Sequence, residues 1–196
     1  INNMYYPKLE TSLIFLQQDG FMDKEQLSIA DLKAEERPIN QHWSWDRILR
    51  SIFIKQADVL QGFFFFEEDF TMEELKANFD FYEPKTVHES SLSPCVHAIL
   101  AAKLGYEDKA YEMYVRTSRL DIDDYNHEAH EGLHITSMAG TWMSVVMGFG
   151  GMRVKNGELV FEHALLPKKW KSLTFNVLFR NKQLRIVLNE SGVQIA

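Results

Sequence analysis

Along most of the chain, apolar residues recur at steps of three and four, the period of a helix with one buried face. Asp46–Leu60 places Ile48, Leu49, Ile52, Phe53, Ala57 and Leu60 on such a stripe and predicts one helix over that span. Thr71-Met72-Glu73-Glu74 has the form of a capping box, in which the threonine hydroxyl and the glutamate carboxylate satisfy each other's backbone amides. It predicts a helix to about Tyr82, closed by Pro84. Ser93-Pro94 suits the first turn of another helix, because proline needs no amide partner there, and Gly105 suits its end. Glu107–Arg119 and His134–Gly148 complete the helical pattern. The second of these is dense in small residues (Ser137, Ala139, Gly140, Ser144), which let a neighbouring helix approach closely.

After residue 153 the period falls to two. Glu158–His163, Leu173–Arg180 and Leu184–Leu188 alternate as half-buried strands do, with turn signals at Asn156-Gly157 and Asn181-Lys182. The pattern therefore predicts a mainly α chain, helical over 1–153, with a small antiparallel β-sheet part over 154–196. At about 43 residues the β part is too small to bury a robust core alone, so it is expected to pack on the helices.

Composition narrows the function classes. The chain has 196 residues, 45% of them hydrophobic and 25% charged, which excludes a disordered tail or a disulfide-stapled miniprotein. A net charge of −7 argues against a broad nucleic-acid or anionic-membrane footprint. The last 43 residues nevertheless hold seven basic residues against three acidic ones, so the helical part is more acidic than the total suggests. No apolar run reaches the ~18 residues of a membrane span. Cys95 is the single cysteine and cannot form an internal disulfide. With no signal-peptide pattern, a reducing cytoplasmic setting is expected. The chain begins at Ile1 rather than methionine, and is expected to be a piece of a longer protein.

Four polar clusters could carry chemistry. Gln41–Asp46 holds two tryptophans beside a histidine and an aspartate; it reads as a sugar-stacking platform or, more plainly, as a helix start capped by Ser44. Lys55-Gln56-Ala57-Asp58 interrupts an apolar helix pattern with donors suited to sugar hydroxyls or phosphate, or presents a solvated face. Thr86–Pro94 offers Ser90, Ser91, His88 and Glu89 just before a helix, an arrangement that binds anions, although ordinary capping needs only one serine. Gly132–Thr141 repeats the theme, with His134, hydroxyls and glycine at a helix start. His127, His130 and His134 have ligand-like spacing, but Gly132 argues against one continuous helix and no metal is expected.

At these residues the chain resembles glycoside hydrolase family 65. The resemblance rests on QHWSWDRILRSIFIKQADVLQG (41–62), FDFYEPKTVHESSLSPCVH (79–97), AYEMYVRTSRLDIDDY (110–125) and GLHITSMAGTWMSVVMGFGGMR (132–153), with FLQQDGFMDK (15–24) also fitting. It implies an N-terminal β-sandwich, a linker, an (α/α)6 barrel and a small C-terminal β-sheet domain. This chain would then be the C-terminal helices of the barrel followed by that domain. Family phosphorylases cleave an α-glucoside with inorganic phosphate and inversion, with maltose the favoured substrate here. A carboxylic acid protonates the leaving oxygen, and the phosphate dianion needs no general base.

Position by position, the resemblance implies substrate binding by Lys55 and Gln56, and phosphate binding by Ser90, Ser91, His134, Ser137 and Gly140. It places Glu89 where hydrolytic relatives have a water-activating base. The family's general-acid glutamate lies in a Pro-Asp-Glu-Tyr-like motif that does not occur here, so no catalytic residue is expected within the chain and residues 1–196 alone are expected to be inactive. Asn126–Glu131 also departs from the family pattern. The partners implied are a disaccharide and inorganic phosphate, with no cofactor, and the whole enzyme is expected to be a homodimer. The alternatives are a hydrolase, a phosphorylase for trehalose or kojibiose, or a non-catalytic carbohydrate-binding helical module.

Overall fold

The helical pattern becomes a set of short helices packed around one central helix. The computed structural model describes residues 5–9 and 11–196. Its α-helices are α1 (Ile39–His42), α2 (Trp45–Arg50), α3 (Asp58–Phe65), α4 (Met72–Tyr82), α5 (Ser93–Lys103), α6 (Glu107–Ser118), α7 (Leu120–Asp123) and α8 (Ile135–Met143). Five strands follow: β1 (Met152–Lys155), β2 (Glu158–Phe161), β3 (Leu173–Phe179), β4 (Lys182–Asn189) and β5 (Gly192–Ile195).

The central helix is α5. Every residue from Ser93 to Ala102 is buried, which suits a sequence of small and aliphatic side chains with no charged face. Around it pack Ile52, Leu60, Phe79, Ala110 and Phe149. The segment before α1 is clamped onto α4 by polar side chains: the Asn78 carboxamide accepts from the Phe15 amide at 2.9 Å and donates to the Leu13 carbonyl at 2.8 Å. Tyr82, fully buried, donates to the Phe15 carbonyl at 2.6 Å.

The capping box is present. The Glu74 amide donates to the Thr71 hydroxyl at 3.1 Å, and the Thr71 amide donates back to the Glu74 carboxylate at 3.1 Å. Ser44 likewise accepts the Arg47 amide, at the start of α2.

Two helix expectations are corrected. The single helix predicted over Asp46–Leu60 is two, α2 and α3, joined by an irregular stretch over 51–57. Ile52, Phe53 and Ile54 are all buried, and the backbone there is drawn out to pair with another segment instead of within a helix. Ile54 instead pairs with Thr86 in a parallel bridge, its amide donating to the Lys85 carbonyl at 3.0 Å and its carbonyl accepting the Val87 amide at 2.9 Å. The helix predicted over His134–Gly148 is α-helical only to Met143 and continues as a π-helical stretch, Ser144–Phe149.

The β part forms two antiparallel sheets, β1-β2 and β3-β4-β5. Phe175 pairs with Ile186 and Val177 with Leu184, and exposure alternates strictly along β3 as the sequence predicts. The first hairpin turns at Asn156-Gly157, both at positive φ. The second turns at Arg180-Asn181, one residue earlier than expected. β5 went unread in the sequence because four residues carry too little periodicity.

The β part does pack on the helices. Trp170 stands edge-on to Phe149 at 4.9 Å and to Tyr114 at 5.5 Å. Glu67 bridges the two parts, 2.6 Å from Arg153 Nε and 3.1 Å from Lys103 Nζ.

Candidate functional site

The bridge between Ile54 and Thr86 sets the geometry of the site. It stitches the stretch before α3 to the stretch before α5, so Lys55-Gln56 lies beside Glu89-Ser90-Ser91. The Ser90 hydroxyl donates to Gln56 Oε1 at 3.0 Å and accepts the Leu92 amide at 3.3 Å. Ser91 in turn shares a hydrogen bond with the Thr136 hydroxyl, 3.1 Å away in the first turn of α8. The starts of α3, α5 and α8 thus converge, and each contributes hydroxyl, carboxamide or amide groups. Lys55 is exposed beside them.

His134 sits one residue before α8. Its amide donates to Asp121 Oδ2 at 2.9 Å, and its ring Nδ1 lies 2.5 Å from Asp121 Oδ1. That ring bond holds the Asp121 carboxyl below the usual carboxylate range. Glu128 lies 3.8 Å from the other ring nitrogen.

Three residues expected at the site are turned into the fold. Ser137 is buried, and its hydroxyl donates to the Thr117 carbonyl at 2.7 Å, tying α8 to the end of α6. Gly140 lies within α8 against α5; a Cβ there would come within 2.7 Å of Cys95 Cβ. Both hold α8 in place rather than opening toward the hydroxyl cluster. Glu89 is 3% exposed; its Oε2 accepts the Ile39 amide at 2.8 Å and its Oε1 faces Arg37 Nε at 3.5 Å. Burial pushes this carboxyl up, against the pull of those partners.

Behind the loop lies a second buried polar group. His88 has φ +54, its Nδ1 is 2.9 Å from the Ser93 hydroxyl, and its carbonyl accepts from Arg116 at 3.0 Å. The Val87 carbonyl accepts from Arg37 at 2.8 Å. These bonds pin the backbone that presents Ser90 and Ser91. His88, His97 and Glu83 also bring three ligand-capable atoms together, the only such group among the described residues. The Lys109 ammonium sits 3.0 Å from Glu83 and already takes the place of a cation, so the group fits a metal poorly. Burial holds His97 well below the ordinary imidazole range. His127, His130 and His134, despite their ligand-like spacing in the sequence, do not form such a group.

Of the tryptophan pair near α2, Trp43 packs on Phe53 at 5.9 Å under the Arg47 guanidinium, whereas Trp45 is exposed. They form no joint stacking face. Sequence reasoning passed over Asp121 and did not single out Thr136. Thr136 stood within a hydroxyl-rich helix start, but only its meeting with Ser91 across 45 residues distinguishes it. Among the described residues, no helix is long and apolar enough to cross a membrane.

Comparison with known proteins finds matches along nearly the whole chain. Residues 1–143 match the profile of the glycosyl hydrolase family 65 central catalytic domain, and residues 152–196 that of the family's C-terminal domain. The chain is 56% identical over 193 residues to a maltose phosphorylase of Bacillus subtilis, covering 98% of this chain and 25% of that protein. It is 45% identical to an alpha,alpha-trehalose phosphorylase of Thermoanaerobacter brockii, covering 100% of this chain and 25% of that protein. A solved structure from the human microbiome, named as a candidate kojibiose phosphorylase, superposes with a TM-score of 0.91 at 42% identity, over 100% of this chain and 29% of that one. The chain spans about a quarter of the length of the curated relatives it matches.

Proposed function

The chain belongs to glycosyl hydrolase family 65, and from that premise we propose that it forms the sugar- and phosphate-binding part of an inverting disaccharide phosphorylase. The reaction proposed is maltose plus phosphate giving glucose and β-glucose 1-phosphate. The enzyme would act in the cytoplasm as a homodimer. Maltose is favoured over trehalose and kojibiose by the higher identity to the maltose phosphorylase.

The observation that carries the reading is the convergence of Gln56, Ser90, Ser91 and Thr136 beside Lys55, at the starts of three helices. A phosphate there meets hydroxyl donors, a lysine charge and a favourable helix dipole. Lys55 and Gln56 suit the glucosyl hydroxyls, and Ser90, Ser91 and His134 suit the phosphate. Phosphate attacks the anomeric carbon from the face opposite the leaving oxygen, which inverts the centre. The proton for the leaving oxygen comes, on this reading, from the family's glutamate outside the present motifs. A hydrolase would need a free carboxylate to activate water. Glu89, the position implied for it, has its carboxylate engaged by Ile39 and Arg37 instead.

Paired variants of the whole enzyme test the assignment. Lys55→Ala is expected to raise KM for maltose, and Ser91→Ala to raise KM for phosphate, each by about tenfold. Unchanged constants in either variant would remove that residue from the site.

A further inference from the structure

We propose that Asp121 is a positioning residue for phosphate, acting by fixing the ring of His134. The proposal rests on the reading of His134 as a phosphate ligand and adds the residue that sets its direction.

One carboxylate holds His134 at two points, the backbone amide and ring Nδ1. Two bonds to one partner remove the ring's rotational freedom about its side chain. Because an ionised carboxylate only accepts hydrogen bonds, Nδ1 carries a proton and Nε2 is the nitrogen left to meet a ligand. A ring that donates through Nε2 to phosphate carries both protons, and Asp121 then supplies its counter-charge. Glu128, 3.8 Å from Nε2, is in ion-pair range but beyond hydrogen-bond distance, so no hydrogen bond occupies that nitrogen.

Asp121 is itself well placed. It lies in α7, whose first residue, Leu120, is buried in the core. Its neighbour Asp123 is occupied by Arg119, in two bonds of 2.7 and 2.6 Å. Asp124 ends the helix at φ +47 and caps the following loop by accepting the Ala129 amide at 2.9 Å. The Ser137–Thr117 bond ties α8 to the end of α6, so the carboxylate and the imidazole approach from two anchored elements. Three aspartates within four residues thus have three different partners, and Asp121 is the one bonded to His134.

The test uses the full-length enzyme with Asp121→Asn, Asp121→Glu, His134→Gln and the double variant D121N/H134Q, with thermal unfolding recorded for each. Asp121→Asn is expected to raise KM for phosphate by about tenfold or more while kcat and KM for maltose move less than about threefold. Asp121→Glu should recover part of the loss. The double variant should be no worse for phosphate than His134→Gln alone, as expected of residues acting in series. An unchanged phosphate KM in Asp121→Asn, beside a raised one in His134→Gln, would overturn the proposal and leave the phosphate reading intact. A parallel loss in kcat and both KM values, or additive losses in the double variant, would make the role of Asp121 structural only. An unchanged phosphate KM in His134→Gln would remove His134 from the phosphate site and the proposal with it.

Discussion

Glu89 illustrates how far a residue's chemistry depends on the direction its side chain takes. In the sequence it stands beside two serines and looks poised to act as a base. In the fold its carboxylate points inward, where it accepts the Ile39 amide and faces Arg37. A glutamine can still accept that amide bond. Glu89→Gln in the whole enzyme is therefore expected to keep kcat for phosphorolysis within about tenfold, whereas loss of a general base costs ~10²–10⁴-fold. A drop of the larger size in a folded variant would restore Glu89 to the chemistry. Lys55, Gln56, Ser90 and Ser91 were legible because each lies in a continuous motif. Asp121 was not, because the role proposed for it depends on a partner 13 residues away and across a turn. Ser137 and Gly140 stood in the right motif, but a motif does not record which helix face is turned inward.

At the scale of elements, α8 is held against α5 by the absence of a side chain. A Cβ at Gly140 would press on Cys95 Cβ at 2.7 Å and Sγ at 2.9 Å. Gly140→Ala gains helix propensity, but it must push the two helices apart at a point where the Cys95 Cβ belongs to a buried helix and cannot swing away. A net destabilisation of about 1–3 kcal/mol is expected in urea unfolding of the whole enzyme. Equal or greater stability would contradict the close packing. Helices with explicit ends, such as α4 with its capping box and α5 with Pro94, were readable to within a residue or so. The break between α2 and α3 was not. Ile52, Phe53 and Ile54 satisfy a helical stripe in part, yet burial of all three and the bridge to Thr86 draw the chain out. Tertiary pairing overrode local period, and that override brings Lys55-Gln56 to the serines.

For the whole molecule, the same pairing gathers the donors of the proposed anion site in a chain with a net charge of −7. The acids are spread over helix surfaces and ion pairs such as Lys76–Asp80 and Arg119–Asp123, while donors gather where α3, α5 and α8 begin. The β part is fastened to this frame by Trp170 and by Glu67 between Arg153 and Lys103, so the chain forms one continuous body from α3 to the sheets. On the proposed reading, the converging helix starts bind phosphate as the nucleophile. The direct measurement is product formation from maltose by the full-length enzyme, with and without inorganic phosphate. Glucose and β-glucose 1-phosphate are expected in equal amounts, and only when phosphate is present. Release of free glucose alone, at a rate that phosphate does not change, would contradict it.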